Sequence, residues 1–232
     1  MKTLIFDCDG VLVDSEFLAE QTLETYLTHW LPDLDIPTLL GQALGMTTAD
    51  ILHHLEQQSR HALPADASEQ VDEAIESRLL RELTAIEGVH RAVSGISLPK
   101  AIVSNSRRRR VEASLATTRL ADVLGDVPIF TAEQVDHPKP DPAIYHLAAS
   151  RLGCPPEQCL VVEDSVAGVT AARAAGMQVI GFVGASHVDD RQHARLLAAG
   201  AWRILLHMRG LHALVDEWQL YLQGHDHNET TR

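Results

Sequence analysis

Leu4-Ile5-Phe6-Asp7-Cys8-Asp9-Gly10-Val11 joins a short aliphatic run to two carboxylates and a glycine, and the reading of the whole chain starts there. Leu4–Phe6 has strand character, and alternate residues of a strand share a face, which favours bringing Asp7 and Asp9 together. Asp9 already lies where the strand gives way to a loop. Gly10 lets the backbone turn, so the second carboxyl can swing back to the same place. One carboxylate can then attack phosphorus while the other moves protons. Taken alone, the D-x-D-G string is equally compatible with a capped turn carrying two solvated aspartates.

Outward from this stretch the same pattern recurs. Ala101–Val103, Pro128–Phe130 and Leu160–Val162 are short β-branched or aliphatic runs, each followed by polar residues and then a helical pattern. Gln178–Phe182 follows Gly176, which reads as a helix C-cap, and Ile204–Leu206 is a weaker sixth run. Strands alternating with helices predict an α/β fold with a parallel sheet covered on both faces. Ligands of such sheets bind beyond the carboxyl ends of the strands, near a switch in strand order.

The polar residues after each run are therefore the candidates. Ser104-Asn105-Ser106 opens a predicted helix, where free backbone N–H groups and a hydroxyl suit a phosphate; for Ser104 alone a plain N-cap is the simpler reading. Lys139 stands between Pro138 and Pro140, which limit where its ammonium can go, so it suits phosphate oxygens or ionised carboxylates, or it is an exposed loop lysine. Glu163-Asp164 offers hard oxygen ligands of the kind magnesium takes, or simply acidic residues placed favourably at a helix start. If these groups converge on a phosphate dianion, charges ~4 Å apart repel by ~1 kcal/mol in water and ~4 kcal/mol at an effective dielectric near ~20. Lys139 alone cannot offset several such terms, so convergence calls for a divalent cation.

Residues 15–83 read differently. Phe17, Leu23, Leu27 and Trp30 recur at helical intervals, while Thr47/Asp50 and Asp66/Glu69 have capping-box spacing ahead of apolar stripes. Several helices are expected here, inserted between the first strand and the rest of the sheet and placed to cover a site at its mouth.

Bulk properties exclude other classes. A formal charge of −13 over 232 residues speaks against nucleic acid as a partner. No apolar run approaches the ~20 residues that cross a bilayer, and Leu4–Phe6 is too short and too acidic at its end for a signal peptide. Cys8, Cys154 and Cys159 lack zinc or redox spacing, which with the preceding points places the protein in the cytoplasm. The Asn228-Glu229-Thr230 sequon is then a chance match in a tail, from about Gly224, that reads as disordered.

The four blocks, in this order, resemble the motifs of the haloacid dehalogenase superfamily. Asp7-Cys8-Asp9-Gly10-Val11-Leu12-Val13-Asp14-Ser15 matches the first, Ser104 the second, Lys139 the third and Glu163-Asp164 the fourth. Val166-Ala167-Gly168 and Ala171-Ala172-Arg173-Ala174-Ala175-Gly176 continue the run after it. The resemblance covers nearly the whole chain. It implies a Rossmann-like core, residues 1–14 and 84–232, with an all-α cap, residues 15–83, as in the β-phosphoglucomutase and phosphoglycolate phosphatase branch. It implies Asp7 as nucleophile and Asp9 as acid and base. Mg2+ is then held by Asp7, the Asp9 backbone oxygen and Asp164 with Glu163 in support, and Ser104, Asn105 and Lys139 hold the phosphoryl group.

Departures narrow the activity. Asp9 is present where the superfamily's dehalogenases and phosphonate hydrolases lack that aspartate, which favours phosphate esters. Mutases of the β-phosphoglucomutase type carry a histidine and an arginine where this chain has Ala19 and Thr48, so hydrolysis is preferred over mutase activity, and a non-catalytic binder is the third alternative. Leu44-Gly45-Met46-Thr47-Thr48 resembles the cap loop that touches the leaving group in relatives; Gly45, Met46 and Thr47 are neutral and suit a polyol, or form a helix–helix turn. The chain is similar to bacterial sugar-phosphate phosphatases of the 6-phosphogluconate kind. The expected partner is a small phosphorylated metabolite, with no nucleic acid or membrane, bound by a monomer or weak homodimer. Arg107-Arg108-Arg109-Arg110 reads mostly as a solvated face with an Arg108–Glu112 contact, leaving one arginine, Arg107, as a candidate for an acidic substrate. The thirteen histidines show no metal-ligand spacing.

Overall fold

The computed structural model describes residues 2–42, 48–186, 188 and 191–229. The chain divides into two compact units, Met1–Asp14 with Thr84–Arg232, and Ser15–Leu83.

In the first unit six strands, β1 Thr3–Phe6, β2 Lys100–Ser104, β3 Ile129–Thr131, β4 Cys159–Glu163, β5 Gln178–Phe182 and β6 Arg203–Leu205, form one parallel sheet in the order β3-β2-β1-β4-β5-β6. β1 and β4 are buried at every position. That is why they read as unbroken runs rather than alternating ones: a parallel strand has apolar layers on both sides. The chain leaves β1 towards β2 and β3, then returns to start β4 on the other flank of β1. This Rossmann-like order puts the switch point between β1 and β4, whose following loops diverge and open a crevice at their carboxyl ends. Phe6 pairs with Ile102 on one side and Val162 on the other, so the residues just after β1 and β4 emerge side by side.

Helices α5 Val89–Gly95, α6 Arg108–Thr117, α7 Ala121–Leu124, α8 Ala143–Leu152, α9 Val166–Ala174, α10 Gln192–Ala198 and α11 Leu211–Glu229 complete the unit. Ile144, Tyr145 and Ala148 of α8 and Val169 and Ala172 of α9 pack on Ile5, Val103, Val161 and Val179 of the strands. Gly176 lies one residue beyond the C-cap of α9 with φ +84°, the left-handed turn that ends the helix and feeds β5. Two local expectations are corrected. The helix after β2 starts at Arg108 rather than at Ser104, because residues 104–107 form a turn in which the Ser106 N–H donates to the Ser104 hydroxyl. The tail does not end its order at Gly224: α11 continues to Glu229.

The second unit holds α1 Ser15–Trp30, α2 Ile36–Gln42, α3 Thr48–Glu56 and α4 Ala67–Glu82. Leu23 and Leu27 of α1, Leu52 and Leu55 of α3, and Val71, Ile75 and Leu79 of α4 are buried. The buried apolar residues of α1 begin at Leu18, and Phe17 is exposed. Asp66 is the N-cap residue of α4 without the expected side-chain cap, because its carboxylate accepts from the Gln70 amide instead. Among the described residues no helix is long and apolar enough to cross a membrane.

Candidate active site

Asp7 is the first residue beyond β1, and its N–H still donates to the Val162 carbonyl at 3.0 Å, which fixes the side chain beside the end of β4. Gly10 closes the turn at φ +75°, its N–H donating to the Val13 carbonyl at 2.8 Å. A Cβ on Gly10 would lie 1.9 Å from Asp164 Oδ2, so the bare Cα is what lets the β1 turn press against the Asp164 carboxylate.

Lys139 is the hub. Its Nζ donates to Asp7 Oδ1 at 2.6 Å, Glu163 Oε1 at 2.6 Å and the Val103 carbonyl at 2.9 Å. An ammonium has three N–H groups, and all of them are engaged. The Asn105 side chain clamps the Lys139 main chain from both sides, its amide donating to Lys139 O at 3.2 Å and its carbonyl oxygen accepting from Lys139 N–H at 3.0 Å. Glu163 is fully buried: Oε1 also accepts from the Tyr145 hydroxyl at 3.0 Å, and Oε2 from the Ser165 N–H and hydroxyl at 3.3 and 3.0 Å. The Tyr145 ring lies 5.4 Å from Lys139 Nζ. Gly168 makes room for this carboxylate, since a Cβ there would fall 1.9 Å from Glu163 Oε1.

Burial pushes the Asp7 carboxyl well above the usual carboxylate range; the Lys139 ammonium pulls against this, and the Glu163 and Asp9 charges add to it. Burial acts to lower the Lys139 pKa, but the Asp7 and Glu163 carboxylates outweigh it and hold the ammonium well above its ordinary value. Burial, with the Asp9 and Asp7 charges, drives the Cys8 thiol upward, away from thiolate chemistry. One oxygen each from Asp7, Glu163 and Asp164 lie within 4.8 Å of one another, all three residues buried. Lys139 is bonded to two of these carboxylates, those of Asp7 and Glu163. Clustered hard oxygen donors of this kind suit a hard divalent cation.

Asp9 is arranged separately. Its Oδ2 accepts from the Ser106 hydroxyl at 2.6 Å and its Oδ1 from Arg110 Nη2 at 3.3 Å. Ser104, almost fully buried, ends β2 beside this turn. The anticipated Arg108–Glu112 contact is present at 3.3 Å between half-exposed side chains. Gly45, Met46 and Thr47 lie outside the described residues. Sequence reasoning passed over Tyr145, Ser165 and Arg110. Tyr145 sits in the apolar stripe of α8 and carries no signal of a polar task, Ser165 is visible as an N-cap position, and Arg110 was hidden within its run.

A family model described as haloacid dehalogenase-like hydrolase matches residues 1–176. The chain is 30% identical over 197 residues to a 6-phosphogluconate phosphatase of Escherichia coli (strain K12), covering 84% of this chain and 89% of the relative. Among solved structures, a conserved haloacid dehalogenase-like protein of unknown function from Agrobacterium tumefaciens str. C58 superposes with a TM-score of 0.85 at 36% identity, covering 94% of this chain and 98% of the other. A HAD family hydrolase from Deinococcus radiodurans R1, solved with bound phosphate and sodium, gives a TM-score of 0.80 at 32% identity over 95% of this chain and 97% of that one.

Proposed function

The chain belongs to the haloacid dehalogenase-like hydrolases and is a phosphoric monoester hydrolase, and from that premise we propose that it cleaves a small phosphorylated sugar or sugar acid, with Mg2+, through a phosphorylated Asp7. The observation that carries this reading is the convergence of Asp7, Glu163 and Asp164 at the switch point with Lys139 against them. An acidic cluster of this kind is unfavourable without a cation, and it lies where α/β sheets bind ligands. The phosphatase among its relatives and the phosphate bound in another support the phosphoryl group as the ligand.

Asp7 and Asp164 would hold the metal together with the Asp9 backbone oxygen. Glu163, whose two oxygens are taken by Lys139, Tyr145 and Ser165, supports from behind. A bound Mg2+ supplies positive charge and polarises a phosphoryl oxygen.

In the first step an Asp7 carboxylate oxygen bonds to phosphorus, the bond from phosphorus to the leaving oxygen breaks, and Asp9 gives that oxygen its proton, so the alcohol departs. In the second step Asp9 takes a proton from water, the water oxygen bonds to phosphorus, and the Asp7–phosphorus bond breaks to release inorganic phosphate and restore the carboxylate. Lys139 aligns Asp7 and carries the charge nearest to it. Ser104 and Asn105 would hold the phosphoryl oxygens, and substrate choice is assigned to Gly45, Met46 and Thr47 from their sequence.

Phosphate release from sugar phosphates, sugar-acid phosphates, phosphoglycolate and nucleotides, with Mg2+ and with chelator, tests the proposal. Release from a sugar or sugar-acid phosphate that chelator abolishes is expected. Release unaffected by chelator would remove the metal, and sugar-phosphate isomerisation without release would replace hydrolysis by mutase activity.

A further inference from the structure

The run Arg107-Arg108-Arg109-Arg110 sits at the start of α6, where cations oppose the helix dipole by ~0.3–1 kcal/mol each. The four side chains part company in the fold. Arg107 and Arg109 are exposed, and Arg108 is occupied by Glu112 and the Ile129 carbonyl. Arg110 turns inward to Asp9: its side chain is 29% exposed, that of Asp9 16%. Its Nε is buried with no hydrogen-bond partner, a second unfavourable feature, since a buried unsatisfied donor costs about 1–3 kcal/mol. A helix start that retains an inward cation at both these costs has a reason to keep it, and the partner it reaches is the residue read above as acid and base.

We propose that Arg110 is a positioning residue for catalysis: with Ser106 it holds the Asp9 carboxyl in the orientation from which it transfers protons. The inference rests on the reading of Asp9 as the proton donor and acceptor. Ser106 and Arg110 are four residues apart and approach Asp9 from one segment, the hydroxyl on Oδ2 and the guanidinium on Oδ1, so the two contacts fix both the place and the rotation of the carboxyl plane. Asp9 lies on the turn that Gly10 closes, and both contacts reach its carboxyl from a separate segment of the chain. Proton transfer demands such fixing, because a catalytic group displaced by ~1 Å loses on the order of 10²-fold in rate.

The leaving group gives a readout that separates positioning from mere structure. An alkyl phosphate needs a proton on the departing oxygen, whereas 4-nitrophenyl phosphate releases a stable anion without one. kcat/KM covers the steps up to phosphorylation of Asp7 and so reports the first proton transfer. In the full-length protein with Mg2+, Arg110→Gln is expected to lower kcat/KM for a sugar phosphate by about 10–100-fold and for 4-nitrophenyl phosphate by no more than about 3-fold. Arg110→Lys should recover part of the loss, Asp9→Asn should show the same leaving-group pattern more strongly, and Arg109→Ala should leave both values unchanged. Arg110→Gln and Arg110→Lys fill the buried space that Arg110→Ala would empty, and thermal melts confirm that each is folded. Equal losses of kcat/KM on both substrates, or no loss on either, would each overturn the positioning role while leaving the phosphatase reading intact. A wild-type protein that releases no phosphate from either ester would overturn both.

Discussion

In the sheet unit Asp7, Lys139, Glu163 and Asp164 are buried charges, the first three bonded into one network; in the helical unit the buried polar side chains among the described residues are the hydroxyls of Ser15 and Thr22. Charged contacts of the helical unit lie near its surface, as in the Arg78–Glu82 pair and the contacts of Arg78 to Gln21 and Thr22 that tie α4 to α1. One unit thus contains charges that are expensive to desolvate, gathered at the switch point of its sheet. The other rests on leucine, valine and isoleucine between helices. Buried ion clusters are weak devices for stability, since apolar residues of similar volume serve as well or better. Where a fold retains one beside a ligand crevice, chemistry is the more economical reason.

The sharpest way to break that contrast is a pair of substitutions within the network. Lys139→Met leaves Asp7 and Glu163 facing each other in a buried site, and removing one member of such a pair destabilises by about 3–5 kcal/mol. Asp7→Asn removes the surplus negative charge and leaves a matched Lys139–Glu163 pair. Because burial raises the Asp7 pKa in the folded state, its ionised form weakens the fold at neutral pH, and that penalty fades as pH falls through the raised pKa. In chelator, therefore, Asp7→Asn should melt at or above the wild-type temperature and Lys139→Met well below it, while both lose turnover. Thermal melts alongside phosphate release check this; similar destabilisation by both would mean that the network is a structural salt bridge.

The helical unit should respond to volume rather than charge. Leu55 of α3 is fully buried, and Leu55→Ala is expected to cost about 2–5 kcal/mol through lost burial and the cavity left behind. Hydrogen exchange should then accelerate for amides of α1, α3 and α4 and leave the protected amides of β1 and β4 unchanged. Equal acceleration in both units would show that they open as one body.

Legibility in the sequence followed the same division. The strands could be read because each buried run ends abruptly in polar residues, as Leu4–Phe6 does at Asp7 and Leu160–Val162 does at Glu163. The candidate carboxylates and Lys139 stood out for the same reason, being polar residues at strand ends in a chain whose strand interiors are wholly apolar. How these groups would divide the bonding was not legible. That Lys139 directs all three N–H groups into the protein, and that Asn105 clamps its backbone, depends on loops 34 residues apart meeting in space. Tyr145 was invisible because its ring serves the apolar stripe of α8 while only its hydroxyl serves Glu163. Arg110 was masked because four adjacent arginines look alike until a helix start at Arg108 turns one of them inward. In the helical unit the periodicity predicted helices, yet Asp66 bonds Gln70 rather than capping α4, since a short carboxylate at a helix start can reach either a backbone N–H or a side-chain amide.

The smallest expected effect tests whether the surface charges of the helical unit act as isolated contacts. Asp33 is exposed, and its carboxyl is held below its ordinary value first by the Ser59 hydroxyl at 2.5 Å and then by the Arg60 N–H at 2.9 Å. An acid whose folded pKa is depressed contributes stability that is present above its unfolded pKa, ~3.9 for aspartate, and is lost as pH falls through the folded value. Asp33→Asn should therefore lower the urea midpoint slightly at pH 7, and the gap to wild type should begin to narrow below about pH 4 and close as the pH falls through the depressed folded value. Midpoints measured across that range decide the point. A gap that persists unchanged in acid would assign the effect to the shape of the loop rather than to the charge of the carboxylate. A closing gap gives the Asp33 carboxylate a local, surface role, in contrast to the buried charges joined at Asp7, Lys139 and Glu163.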